Sequence, residues 1–355
     1  MKKGDIIQGY RILEDFRVAG GMSKVTFAER GGKEYFIKEF LSPKYPTPDS
    51  PGSEKIKEQK RKACDAFEKH HRKINELISS KVSLGGNLVY AVSFFREGAS
   101  YYKVNEKIDT IGLSLTEISR LDINKIIIII NSVCQSLGIL HTLNIVHGDL
   151  KPDNILIKET SHNIYAGKLI DFDDSYFSEN PPVDRENIVG TPEYYSPELA
   201  AYIMDEDDEI DGKTLTLASD IFSLGIIFCE YFTGEKPLTG SSLPTWAAIV
   251  KGNPISFAKP IKPEIETLLR SMLSLKAKDR PTVKRIQYEL REIREGRKTG
   301  ATKIIKGGVR IGGLRVNLVG TDSGETKETG SISPSDSLRT PKVELRGKGL
   351  NNADK

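Results

Sequence analysis

The stretch HGDLKPDNIL, residues 147–156, constrains this chain more than any other part of it. Behind His-Gly it sets an aspartate, a lysine and an asparagine at positions 149, 151 and 154. An acid that accepts a proton, a fixed positive charge and an amide that holds a metal are parts that phosphoryl transfer from a nucleotide needs, because that chemistry is mainly positioning and charge stabilisation. The remaining roles have to come from elsewhere in the chain.

The flanking sequence divides into two patterns. Up to about residue 108, short β-rich runs (YRILEDF, KVTFAER, EYFIKEF) alternate with glycine turns, which predicts a small antiparallel sheet. Four prolines within residues 42–53 mark an irregular connection. Ser53 is then the expected N-cap of a long polar helix running towards Ser80, with Phe67, Ile74, Leu77 and Ile78 as its sparse apolar face. NLVYAVSFFREG and SYYKVNEKI return to strand pattern.

From about Asp109 the pattern is helical. INKIIIIINSVCQSLGILHTL ends just before the 147–156 loop, and LASDIFSLGIIFCEYFTG reads as a buried helix closed by Gly234. PTVKRIQYELREIREG is amphipathic, with Pro281 expected near its first turn and Gly296 at its end. The expected class is α+β and bilobal: a small β-rich lobe over 1–108, a larger mainly helical lobe over 109–295, and a ligand cleft between them.

With 38% hydrophobic and 28% charged residues, the composition is that of an ordinary soluble globular protein, and a net charge of +3 demands no nucleic-acid partner. The charge is uneven: residues 296–355 carry 12 Lys/Arg against 6 Asp/Glu. The same segment holds 11 glycines and 11 Ser/Thr without a sustained apolar period, so a flexible basic tail is expected. VRIGGLRVNLVG within it is the one place where a short hairpin competes. Cys64, Cys134 and Cys229 lie far apart without CxxC spacing and read as buried reduced thiols. No long apolar stretch follows the N-terminal lysines, and IIIII is too short to span a bilayer, so a cytoplasmic location without membrane contact is expected.

Further motifs flank the loop in a fixed order. GGMSKV (20–25) is a glycine turn, YFIKEF carries Lys38 on a strand, and LIDFDDS carries Asp171; GTPEYYSPE (190–198), SDIFSLG (219–225) and KDRPT (278–282) follow. Each is unremarkable alone, since a lone glycine turn is usually a hairpin and a lone strand lysine is usually solvated. Together and in this order they resemble the bacterial-type, eukaryotic-like Ser/Thr protein kinases over about residues 9–295.

That resemblance implies a bilobal kinase fold and transfer of the γ-phosphate of ATP, with Mg²⁺ or Mn²⁺, to a Ser or Thr hydroxyl of a protein substrate. It assigns Asp149 as catalytic base, Lys151 to the transferring phosphate, and Asn154 and Asp171 to the metal. Val18, Gly20, Gly21, Ser23, Val25, Lys38, Glu106 and Ile108 are assigned to the nucleotide. Thr191 is expected to bond to Asp149 and Lys151, Arg280 to pair with Glu198, and Asp220 to anchor the loop.

Four positions depart from the family pattern. GxGxxG aligns with Val18, Gly20 and Ser23, so only its middle glycine survives. Gly148 stands where many kinases have the arginine that holds a phosphorylated activation loop. Asp173 replaces the glycine of the magnesium motif, where its carboxylate is expected to restrict loop flipping or to join the metal shell. The helix glutamate expected to pair with Lys38 is undetermined: apolar spacing puts His70 at that position, counting back from Leu88-Val89 gives Glu76, and Glu68 lies on the same helix.

HGDL and IDFDD also occur in kinases of small molecules such as aminoglycosides and choline, and the eroded glycine turn suits a nucleotide-binding pseudokinase. Lys151 and the GTPEYYSPEL segment favour a peptide substrate over the former; intact Lys38, Asp149, Asn154 and Asp171 favour activity over the latter. The acidic run 205–211 reads as a solvated loop or a dock for basic peptides. The serines and threonine of GSISPSDSLRTPK give the tail phosphoacceptors through which it would reach a phosphopeptide-binding partner.

Overall fold

Alternating apolar residues and glycine turns in the first third produce a sheet, as their period-2 pattern predicts. The computed structural model describes residues 1–19, 23–81, 88–110, 112–160, 164–182, 188, 190–205, 210–297, 310–311 and 314–315. Seven strands, β1 (Ile6–Ile7), β2 (Tyr10–Ile12), β3 (Arg17–Ala19), β4 (Ser23–Arg30), β5 (Lys33–Phe40), β6 (Ala91–Glu97) and β7 (Ser100–Glu106), form one antiparallel sheet. Its order is β1-β2-β4-β5-β7-β6, with β3 also on β4. Lys38 lies opposite Val25 on one side and Lys103 on the other.

The long helix of this region, α1 (Glu54–Ser79), starts where Ser53 accepts a hydrogen bond from the Ile56 amide. Ile74 and Ile78 are buried with Leu77 packed beside them, and Phe67 packs against Phe40, Cys64, Phe94 and Tyr101, so the expected apolar face is the one used. Three rings, Phe67, Phe40 and Phe94, close on His71 with centroids 4.2, 5.2 and 5.4 Å away.

The helical lobe is organised by α3 (Ile123–Thr142), which follows the short α2 (Leu115–Ile118). The isoleucine run makes α3 apolar on nearly every side, which is stable in water only when neighbours cover it. Ile126, Ile127, Ile129, Ile130, Val133 and Leu137 are all buried, and each such side chain stabilises the fold by roughly 2 kcal/mol. Among the described residues α3 is the one helix long and apolar enough to cross a membrane, and half of it is buried inside the protein. The covering elements are the hairpin of β9 (Ile155–Thr160) with β10 (Ile164–Leu169), then α5 (Ala218–Thr233) and α8 (Val283–Arg294).

The strand β8 (Ile145–Val146) pairs with β11 (Tyr176–Phe177) and brackets the 147–156 loop. The short helices α4 (Pro197–Met204) and α6 (Thr245–Val250), with α7 (Pro263–Met272), complete the lobe. Gly234 closes α5 in the left-handed region (φ 87°), as expected. Pro281 falls outside α8, because the Thr282 hydroxyl accepts from the Arg285 amide and so caps the helix one residue later. Residues 1–300 form one unit. In the second unit, β12 (Arg310–Ile311) and β13 (Leu314–Arg315) pair as a hairpin within VRIGGLRVNLVG; most of the expected tail lies outside the described residues.

Candidate active site

The 147–156 loop is fixed from below by a buried carboxylate. Asp220, in the first turn of α5, accepts from the backbone amides of His147 (2.9 Å) and Gly148 (3.3 Å) and faces His141 Nε2 at 3.0 Å. The expected anchoring role of Asp220 is therefore present in the geometry, and His141 and His147 are packing and hydrogen-bonding residues, with His147 Nε2 3.1 Å from the Ile170 carbonyl. Arg280 closes the lobe beneath, donating through two nitrogens to the two oxygens of Glu198 at 2.6 and 2.8 Å. Burial opposes the Glu198 charge, but Arg280 outweighs it and holds the carboxyl below its ordinary range.

On this base the loop gathers its polar groups around Asp149. Lys151 Nζ donates to Asp149 Oδ2 at 2.6 Å and to Thr191 Oγ1 at 3.1 Å. The Thr191 amide and hydroxyl both donate to Asp149 Oδ1, at 3.1 and 3.3 Å. Asn154 Nδ2 donates to the Asp149 carbonyl at 2.7 Å and to Oδ2 at 3.1 Å, which directs the other amide atom, a hard oxygen, away from the carboxylate. The structure thus brings together Asp149, Lys151, Asn154 and Thr191. Thr191 is held in place by the next turn, since Trp246 Nε1 donates to the Pro192 carbonyl at 3.1 Å.

A second cluster lies on the sheet side. Lys38 Nζ contacts both Asp171 oxygens at 3.0 Å and Asp173 Oδ2 at 2.5 Å. Lys103, its neighbour across β5 and β7, donates to Asp173 Oδ1 at 2.6 Å. Two ammonium groups and two carboxylates therefore neutralise one another in a space largely closed to water. Burial opposes the charge on Lys38, yet Asp173 and Asp171 together keep its ammonium above the ordinary value. Burial also opposes the charge on Asp173, and Lys103 and Lys38 overcome it, holding that carboxyl well below its usual range. Burial and then the charge of Asp173 push Asp171 the other way, upwards. Asp174, half-buried, is pushed up to about 8 by desolvation and then by the charges of Asp173, Asp171 and Asp149.

None of the three expected partners on α1 reaches Lys38. Glu68 lies 2.8 Å from Arg72, Glu76 is exposed, and His70 Nε2 sits 2.8 Å from the Ser175 carbonyl. The α1 residue facing the cluster is His71, whose Nδ1 is 3.8 Å from Asp173 Oδ1 and whose pKa burial drives down to about 3. Asp173, read as a restraint on loop flipping or a metal-shell residue, has its carboxylate against the two lysines. The left-handed turn of this segment falls on Asp171 (φ 62°) instead, so a side chain at 173 carries no such strain.

The other expected nucleotide residues line the sheet edge. Val18 on β3 is exposed and pairs with Lys24, Ser23 is buried with its hydroxyl on the Ala19 carbonyl at 3.3 Å, and Val25 faces Lys38 in register. Glu106 ends β7 exposed, 3.9 Å from Lys33, and Ile108 follows half-buried. Gly20 and Gly21 lie outside the described residues.

A divalent cation fits the donor set. Asp171 is a half-buried carboxylate with its side chain 33% exposed, and Asn154 points an amide oxygen away from Asp149. Among the described residues no group of three or more His, Cys, Asp or Glu converges to hold a metal by itself. Two protein oxygens suit a Mg²⁺-like ion that takes its remaining ligands from phosphates and water.

Comparison with known proteins follows the same line. The protein kinase domain family model matches residues 54–289. The match is shorter than the 9–295 suggested by the motifs, and leaves out the glycine turn and Lys38, whose place is given by its contact with Asp171. The Ser/Thr-protein kinase PknB of Mycolicibacterium smegmatis is 29% identical over 217 residues, 58% of this chain and 32% of that protein. PkaA of Streptomyces coelicolor is 30% identical over 169 residues, 46% and 28% of the two chains. PknA of Corynebacterium glutamicum is 36% identical over 115 residues, 32% and 22% of the two. The aligned stretches span about a third or less of these relatives' own lengths. With two thirds of its length under one family model, the chain belongs to the protein kinase domain family, beside the bacterial Ser/Thr kinases.

Proposed function

We propose that the chain transfers the γ-phosphate of ATP to Ser or Thr hydroxyls of a protein. The observation that carries this reading is the closed set of bonds among Asp149, Lys151 and Thr191. Asp149 would accept the proton of an incoming hydroxyl, and Lys151 would neutralise charge on the transferring group. Thr191, joined to both, shapes the site for a short aliphatic hydroxyl. Asn154 and Asp171 would hold Mg²⁺ or Mn²⁺, which when bound bridges phosphates and offsets their charge. Lys38 would supply a compact positive charge to the α/β-phosphates, and Val18, Ser23, Val25, Glu106 and Ile108 would line the nucleotide.

The tie between Lys151 and Thr191 favours a peptide acceptor over a small molecule such as an aminoglycoside or choline. Asp205 and Asp211 of the acidic run bond to local amides, at 2.6 Å from Ile210 and 2.9 Å from Lys213, which favours a turn over a peptide dock; residues 206–209 lie outside the described residues. We further read the protein as cytoplasmic and its tail as a phosphoacceptor segment that recruits a phosphopeptide-binding partner. Incubation with labelled ATP and Mg²⁺ or Mn²⁺, followed by phosphosite mapping on protein acceptors, tests the activity. Label appearing on choline or an aminoglycoside but on no Ser or Thr would overturn it.

A further inference from the structure

Four residues whose pairing no single motif announces meet behind the nucleotide side of the cleft: Lys38 on β5, Lys103 on β7, His71 on α1 and Asp173 in the segment after β10. Asp173 is the hub. Its Oδ2 is 2.5 Å from Lys38 Nζ, its Oδ1 is 2.6 Å from Lys103 Nζ, and its side chain is 8% exposed. The helix that would be expected to supply a carboxylate supplies His71 instead, and its two candidate glutamates face Arg72 and solvent.

We propose that Asp173 is the positioning residue for Lys38, replacing a helix carboxylate, and that Lys103 is the counter-cation that keeps Asp173 in place. The inference rests on the kinase reading above. A lysine on a flexible stem meets phosphate at a defined point only if something else holds its ammonium, and a fixed carboxylate within ion-pair distance does so. Lys38 has two such partners. Asp171 is also a metal residue, so Asp173 is the anchor that remains when Asp171 turns to a cation. Lys103 makes this workable, because a second carboxylate beside Asp171 would otherwise add an uncompensated buried charge. Because the anchor sits in the metal segment, orientation of Lys38 is independent of a charged contact from α1.

The variants D173N and D173G/K103M test this. The double variant removes both members of the buried pair, so it leaves no orphaned charge on β7 and is expected to melt within a few degrees of wild type. If Asp173 positions Lys38, both variants show an ATP KM raised at least tenfold with the peptide KM within twofold of wild type, and the added H71E substitution in D173G/H71E recovers at least fivefold of the kcat/KM lost in D173G. Wild-type ATP KM and kcat in either folded variant overturns the inference, and reduces Asp173 to a neutraliser of Lys103. If wild type itself phosphorylates no protein, the activity reading has failed. Affinity for a fluorescent ATP analogue with Mg²⁺ then decides the role of Asp173 in its place, with a tenfold loss expected and an unchanged affinity counting against it.

Discussion

A Cβ built on Gly148 would lie 2.3 Å from the carbonyl oxygen of Asp174, a separation no side chain tolerates. Gly148 is also in the left-handed region, at φ 85°. The arginine that many kinases carry here is therefore excluded by the backbone of the segment after Phe172 as well as missing from the sequence. Gly148→Arg should destabilise the protein by roughly 2 to 3 kcal/mol, the sum of a strained φ and a steric shift against main chain. A fall in melting temperature of several degrees checks this. A variant as stable as wild type would mean that the segment after Phe172 moves freely.

Asp149→Asn keeps the shape of the loop and leaves Lys38, Asp171 and the sheet edge untouched. It removes the proton acceptor and one ionic partner of Lys151, 2.6 Å away. Turnover should fall by about 10²- to 10⁴-fold, the usual contribution of a general base, with ATP affinity within a few-fold of wild type. Undiminished turnover would remove Asp149 from the mechanism.

The parts of the site legible in sequence are those that lie close together along the chain. Asp149, Lys151 and Asn154 sit on one loop, and the order of the surrounding motifs identifies Lys38 and Asp171. The Lys103–Asp173 pair was not legible, because its members are 70 residues apart and each looks like an isolated anomaly. The available signal was a lysine inside the apolar strand SYYKVNEKI, which a buried strand tolerates only with a partner. His70 and His71 show a different limit. Adjacent helix residues point about 100° apart, and a sparse apolar face does not fix the rotation closely enough to tell which enters the cluster. Fold class was legible because the hydrophobic period changes from 2 to 3.6 along the chain. The helix-cap shift to Thr282 reflects a choice between Pro at the first turn and a side-chain cap, which lie one residue apart.

Activity should be insensitive to phosphate on the segment preceding Thr191. With Gly148 the loop offers no guanidinium to hold such a phosphate. Phosphatase treatment, with segment sites confirmed empty by mass spectrometry, should leave the initial peptide rate within about twofold. A collapse of the rate, restored on rephosphorylation of that segment, would show that another cation serves the purpose.

The tail offers Ser331, Ser333, Ser335, Ser337 and Thr340 on the same chain as the active site. Tethering gives such a segment a high effective concentration, so weak recognition suffices for modification. Incubation with ATP and metal should add phosphate within 331–340, each group subtracting roughly 1.5 to 2 charges from a basic region. An unmodified tail on an enzyme that is active on peptide would contradict this.

Glu230, beneath Tyr194, makes the stability of the fold depend on pH. It is 4% exposed near the end of α5, and Tyr194 donates its hydroxyl to both carboxylate oxygens, at 3.0 and 3.1 Å. Burial raises its pKa from an ordinary 4.5 to about 7, against the opposing pull of the Tyr194 hydrogen bond and of Lys236. Between those two values the folded protein binds more protons here than the unfolded chain, so this group's contribution makes stability fall as pH rises from 4.5 to about 7. The loss is on the order of 3 kcal/mol and is complete above the folded pKa. Glu230→Gln keeps an acceptor for Tyr194 and does not ionise. Denaturant melts at pH 5 and pH 8 should therefore show a smaller loss of stability in the variant than in wild type, the difference between the two proteins isolating Glu230 from other titrating groups such as Asp174. Equal pH dependence in both would mean that Glu230 ionises near its ordinary pKa, with water reaching the carboxylate beneath Tyr194.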